Sequence, residues 1–105
     1  MGKHVGIKAR GSKGSWFAVW EGENLPCVHE HWKDGDNYTD IEVGPRGRWP
    51  RFIAGLRAKG RVLVTRDRIV GGFPRGRLGY LSVWDIEGVS SNPDALRFRF
   101  VRQIT

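Results

Sequence analysis

The tetrapeptide Pro-Arg-Gly-Arg occurs twice in this chain, at 45–48 and at 74–77. A planar guanidinium can grip a phosphate through two parallel hydrogen bonds or stack on a base, and lysine does neither as well. The candidate polyanion contacts are therefore Arg46, Arg48, Arg51, Arg75 and Arg77, helped by Lys8, Arg10 and Lys13 near the N-terminus. Residues 70–79 carry both glycines and arginines and read as a mobile basic loop. Phe73 at its centre would set an aromatic ring beside arginines, an arrangement that stacks unpaired bases. The plainer alternative is two glycine turns with solvated arginines and Phe73 tucked onto the end of the sheet.

Cys27, His29 and His31 recur at every second residue and would share one face of a strand, with Asp34 and Asp36 close behind. A thiolate and two imidazoles are competent ligands for zinc or copper. A closed site needs a fourth donor, which His4 or an aspartate would have to supply, and no Cys-x-x-Cys pair exists. Exposed polar histidines on a strand are the ordinary explanation, so no metal or other cofactor is expected. Ser12, Ser15, His29 and Asp40 do not assemble into a recognisable hydrolytic set, and residues 8–15 lack the spacing of a phosphate-binding loop. Enzymatic activity is the minority reading.

The charge around these residues is segregated. From Arg46 to Arg77 ten basic residues face the single acid Asp67, a net +9, which leaves −2 for the rest of a chain whose total is +7. Residues 1–20 hold four bases and no acid, whereas 21–45 hold seven acids and only Lys33. A local positive field raises encounter rates with polyanions more than the same charge spread evenly. Thirteen of the eighteen bases are arginine, which favours recognition over solubility alone.

Positioning such side chains requires a folded core, and 105 residues suffice for one compact domain, 1–105. Five Trp and five Phe argue against disorder. Short apolar runs punctuated by fifteen glycines predict strands at 5–9, 15–20, 27–32, 38–43, 61–65, 79–86 and 96–104. Trp49, Phe52, Ile53 and Leu56 instead follow the helical period, with Pro50 suited to the first turn and Gly60 to the position after the last. Leu96, Phe98 and Phe100 should point inward and Arg97 and Arg99 outward. The run 80–86 is apolar on both faces and belongs in the middle of a sheet. The expected fold is α+β: a small, strongly bent sheet or partly closed β-barrel of about six strands with one short helix.

Strand count, a helix beside the barrel and a closing hairpin resemble the small barrels of the PUA-like superfamily, whose members bind RNA or modified DNA bases. The two Pro-Arg-Gly-Arg cores resemble AT-hooks, which lay arginines along a narrow minor groove, although Trp49 and Leu78 stand where that motif has its second proline. Among the five tryptophans, one could line an aromatic cage for a flipped base.

These readings converge on a nucleic-acid-binding module whose partner is DNA or RNA, single- or double-stranded. The alternatives are a protein-binding inhibitor or adaptor of a nucleic-acid enzyme, with the acidic stretch 21–42 facing a basic partner, and a metal-binding protein built on Cys27, His29 and His31. With one cysteine there is no internal disulfide. The N-terminus lacks an apolar leader and no run approaches a membrane span, so a cytoplasmic protein is expected. Oligomeric state is not legible.

Overall fold

The structure is a computed structural model that describes residues 9, 16–41, 49–92 and 95–105. In chain order the elements are β1 (Phe17–Trp20), β2 (Glu23–His29), a 3-10 turn (Glu30–Trp32), β3 (Lys33–Asp34), β4 (Asn37–Asp40), α1 (Trp49–Lys59), β5 (Arg61–Val70), β6 (Phe73–Asn92) and β7 (Ala95–Gln103). The seven strands among the described residues form one sheet, ordered β1-β2-β5-β6-β7-β4-β3. The α+β expectation holds in outline, and of its two forms the bent sheet is the one found: seven strands, not about six, in one curved sheet that does not close into a barrel.

Strand pleating explains why the centre of this sheet is apolar on both sides. Val62 and Val64 of β5 join Val28, Ile86, Leu96, Phe98 and Phe100 on one face, where α1 lays down Phe52, Ile53 and Leu56. Leu63, between them, turns to the opposite face with Ala18, Leu25, Cys27 and Val83, flanked by Trp20, Tyr80 and Ile104. Successive residues of a strand must point to opposite faces, so a β-branched run with no polar interruption buries only where both faces are covered. β6 lies fourth of seven, the central place its composition requires. On β7 the alternation is as expected: Leu96, Phe98 and Phe100 are buried while Arg97 and Arg99 are exposed.

The helix also follows its sequence. Phe52, Ile53 and Leu56 are buried and Arg51, Arg57 and Lys59 exposed. Gly60 ends it at φ +61°, its N–H donating to the Leu56 carbonyl at 2.9 Å while its own carbonyl accepts from the Ile86 N–H at 2.9 Å. That left-handed conformation costs a residue with a Cβ about 1–2 kcal/mol. A Cβ at Gly60 would meet nothing nearer than the Ile86 oxygen at 4.0 Å, so the cost is conformational and not steric. Gly60→Ala is accordingly expected to lower the unfolding free energy by about 1–2 kcal/mol in urea titrations. An unchanged midpoint would contradict the role given to this glycine.

Three elements differ from expectation. β2 begins at Glu23 and stops at His29, because residues 30–32 coil into the 3-10 turn. Pro26, which cannot donate to a ladder, is tolerated because it pairs with Phe17 of β1 while pairing to β5 starts only at Cys27. The expected loop 70–79 is instead the distal half of a long hairpin: Val70 pairs with Phe73, Ile69 with Pro74, Arg68 with Gly76 and Asp67 with Arg77. Only Gly71 and Gly72 turn the chain, both at positive φ, as a two-residue hairpin loop demands. The other glycines and the proline lie where the register slips, so their density marks bulges in the ribbon and not a loop. β4 ends at Asp40, and the expected strand at 5–9 lies outside the described residues but for Ala9. No helix among the described residues is long and apolar enough to cross a membrane.

Candidate functional site

Arginines gather on the β5–β6 hairpin. In its distal part, residues 66–77, Arg66 and Arg68 come from β5 and Arg75 and Arg77 from β6, against the single acid Asp67; Arg61, Asp85 and Glu87 lie nearer its base. The 3-10 turn braces the ribbon at three points: Glu30 to Arg66 at 3.4 Å, His31 Nε2 to the Gly72 carbonyl at 2.8 Å, and the rings of Trp32 and Phe73 at 6.1 Å between centroids. The His31 contact is a hydrogen bond when Nε2 carries the proton. Arg75 is exposed, with its guanidinium 5.3 Å from the centre of the half-buried Phe73 ring and Nη1 donating to the Pro74 carbonyl at 2.7 Å. Ile69, Val70 and Leu78 are exposed on the same ribbon.

At the base of the ribbon the register builds a second feature. His29 pairs with Thr65, and Thr65 pairs with Tyr80, so three polar side chains lie in one row across β2, β5 and β6. The next row holds Asp67 opposite Arg77. Asp67, its side chain 6% exposed, takes a 2.6 Å hydrogen bond from the Thr65 hydroxyl and lies 3.2 Å from His29 Nδ1. Arg77 turns inward, its Nη1 donating to the Tyr80 hydroxyl at 3.1 Å and its guanidinium lying 5.3 Å from the centre of that ring. Burial alone would raise the Asp67 carboxyl. The close approach of His29 and the hydrogen bond from Thr65, with the charges of His29 and Arg77, outweigh it and hold the carboxyl below the ordinary range.

That depression fixes the sign of a pH dependence. The native state binds the Asp67 proton more weakly than the unfolded chain, so the stabilisation is present above the unfolded value and lost as pH falls through the native one. Half-buried Asp85, held low chiefly by the hydrogen bond from Arg61, acts in the same sense. Denaturation midpoints are expected to fall between pH 5 and pH 3, and to fall less in Asp67→Asn; equal losses in the two proteins would contradict the role assigned to this carboxylate.

No protein-family model, curated protein or solved structure matches this chain. Function has to be argued from the site itself.

Of the residues singled out in the sequence, Lys8, Arg10, Lys13, Arg46 and Arg48 lie outside the described residues, and with them the first Pro-Arg-Gly-Arg copy. Phe73, Arg75 and Arg77 belong to the hairpin. Arg51 sits on α1, which packs on the opposite face of the sheet from the Tyr80 that Arg77 contacts, so these two arginines are not brought together. The proposed ligand face does not form either: Cys27 and His29 are on β2, but His31 has left the strand for the 3-10 turn and engages Gly72. Burial pushes the Cys27 thiol up to about 11, which keeps it protonated at neutral pH. No group of three or more His, Cys, Asp or Glu among the described residues is placed to hold a metal ion. Sequence reading missed the pairing of His29 with Asp67. The available signal was that Asp67 is the only acid in the basic segment, and an isolated acid there needs a local reason.

Proposed function

We propose that this protein binds nucleic acid through the β5–β6 hairpin and works in the cytoplasm. One observation carries the reading: the distal part of the hairpin, residues 66–77, bears four arginines, and the carboxylate of the single acid there is buried beside Thr65 and His29, so its charge is directed inward. Arg68 and Arg75 contact phosphates, the ring of Phe73 supports stacking beside Arg75, and Ile69 and Leu78 cover the apolar faces of sugars and bases. Lys8, Arg10, Lys13, Arg46 and Arg48, which lie outside the described residues, are kept as further candidate phosphate contacts from the sequence alone, and Arg51 lies on the other face of the sheet. The resemblance of the sheet to PUA-like barrels belongs to the same reading and adds no residue to it.

A protein that neutralises phosphates releases counterions, so its affinity must fall as salt rises. With about four phosphates contacted, log K against log salt is expected to have a slope near −3.6 on duplex and near −2.8 on single strands. Fluorescence anisotropy with labelled duplex DNA, single-stranded DNA and RNA, each at several salt concentrations, gives the slopes and ranks the partners. A flat salt response on all three would overturn the reading.

A further inference from the structure

We infer that the row His29–Thr65–Tyr80, with Asp67 behind it, is a metal-independent RNA-cleaving site in which His29 is the general base and Tyr80 the general acid. The inference rests on the nucleic-acid reading above and specifies the substrate as RNA.

The imidazole is placed for proton transfer by its surroundings. Its Nδ1 is buried and lies 3.2 Å from the Asp67 carboxylate as a close ion-pair contact that lacks hydrogen-bond geometry, while the side chain as a whole remains 35% exposed. The open part of the ring is therefore the edge away from Asp67, which carries Nε2. A carboxylate on one ring nitrogen fixes the ring's orientation and leaves the other nitrogen as the base, and Asp67 is itself fixed by Thr65 at 2.6 Å. Asp67 is thus a positioning residue. The groups around His29 are Asp67 from β5, Arg77 and Tyr80 from β6, Cys27 from its own strand, and Tyr38, whose hydroxyl accepts the His29 backbone N–H at 3.1 Å.

Tyr80 stands on the far side of the short Thr65 side chain. Adjacent strands are about 4.8 Å apart, so the backbones of His29 and Tyr80 lie about 10 Å apart with side chains on one face. An in-line displacement at phosphorus, with a hydrogen bond of about 2.8 Å at each end, spans on the order of 9 Å between base and acid atoms. The Tyr80 hydroxyl receives the Arg77 Nη1–H at 3.1 Å, and that guanidinium stabilises negative charge on the phenol oxygen.

The reaction is written with its atoms in balance. His29 Nε2 takes the proton of a ribose 2′-hydroxyl, and the 2′-oxygen forms a bond to the adjacent phosphorus as the bond from phosphorus to the 5′-oxygen breaks. That oxygen takes the Tyr80 proton, and the imidazolium returns its proton to the phenolate through solvent. The products are a 2′,3′-cyclic phosphate and a 5′-hydroxyl, with no co-reactant consumed. RNA is the substrate these groups fit, because its nucleophile is already tethered beside the phosphorus and the protein need supply only orientation and proton transfer.

The test uses the full chain in excess over a 5′-labelled single-stranded RNA and, in parallel, the same strand fully 2′-O-methylated. Expected are cleavage of the first to cyclic-phosphate ends, binding of the second without cleavage, and loss of cleavage by 100-fold or more in His29→Asn. In that variant, assayed at a temperature where circular dichroism shows it folded, 2′-O-methyl binding should persist. Tyr80→Phe, which removes only the hydroxyl, should slow cleavage at least 10-fold and serves if His29→Asn fails to fold. Asp67→Asn should shift the pH profile of the rate; an unmoved profile would overturn its positioning role. Binding of the methylated strand with no cleavage of RNA overturns this inference and leaves the nucleic-acid reading standing. Failure of either strand to bind removes both. Equal cleavage by wild type and His29→Asn also overturns it, since the activity then lies elsewhere.

Discussion

Replacing Phe98 with alanine is expected to lower the unfolding free energy by about 3–5 kcal/mol, the usual cost of deleting a buried aromatic ring. Phe98 is 4% exposed, stacks on Tyr38 with centroids 4.5 Å apart and planes 15° from parallel, and meets the edge of Phe100 at 5.3 Å. The space cannot close cheaply. Tyr38 is anchored by accepting the His29 N–H and donating to Asp40 at 3.3 Å, and Phe100 is wedged against Trp84 at 5.4 Å. Domains of this size have about 5–15 kcal/mol in total, so the variant should be partly unfolded near body temperature. Val101→Ala, on the exposed face of the same strand, should change stability by no more than about 0.5 kcal/mol. A Phe98→Ala loss below about 1 kcal/mol in urea titrations would mean that the aromatic cluster is not the core of this face.

The contrast between Phe98 and its exposed neighbours shows what the sequence makes legible. Alternation along 96–100 dictated burial because a strand has only two faces, and the spacing of Phe52, Ile53 and Leu56 dictated a helix because one face of it had to be apolar. Gly60 announced the helix end for a reason confined to one residue, its positive φ. The hairpin was harder. Glycine and proline at 71–79 signal departure from regular backbone without saying whether the departure is a loop or a slip of register, and pairing to β5 decided it.

The polar row was hidden for a related reason. His29 meets Asp67 only because β2 runs parallel to β5 in the register that sets His29 beside Thr65, a pairing between segments separated by β3, β4 and α1. Nothing local to His29 encodes that neighbour. The spacing of Cys27, His29 and His31 suggested a shared face, yet the chain leaves extended geometry after His29 and His31 is spent on the hairpin turn. A period of two is evidence for a common face only while the strand lasts.

The second large effect concerns binding. Arg68→Ala combined with Arg75→Ala is expected to weaken nucleic-acid affinity by at least about 150-fold at moderate salt, since each charge-assisted hydrogen bond to phosphate contributes about 1.5–3 kcal/mol. The slope of log K against log salt should become shallower by about 1.8 on duplex, two phosphates fewer at about 0.9 each. These two arginines are chosen because both are exposed and on opposite strands of the ribbon, so their removal leaves its pairing intact. Arg77 is deliberately spared. Its guanidinium holds the Tyr80 hydroxyl, and its charge acts on Asp67, so Arg77→Ala would disturb the polar row as well as the ligand. The midpoint of unfolding should move by no more than about 0.5 kcal/mol, as exposed substitutions do. Affinity that falls with an unchanged salt slope would assign the loss to something other than phosphate contact. Affinity and slope both unchanged would move the interface off this hairpin, to the helix bearing Arg51 and to the basic residues of the N-terminal segment and 46–48.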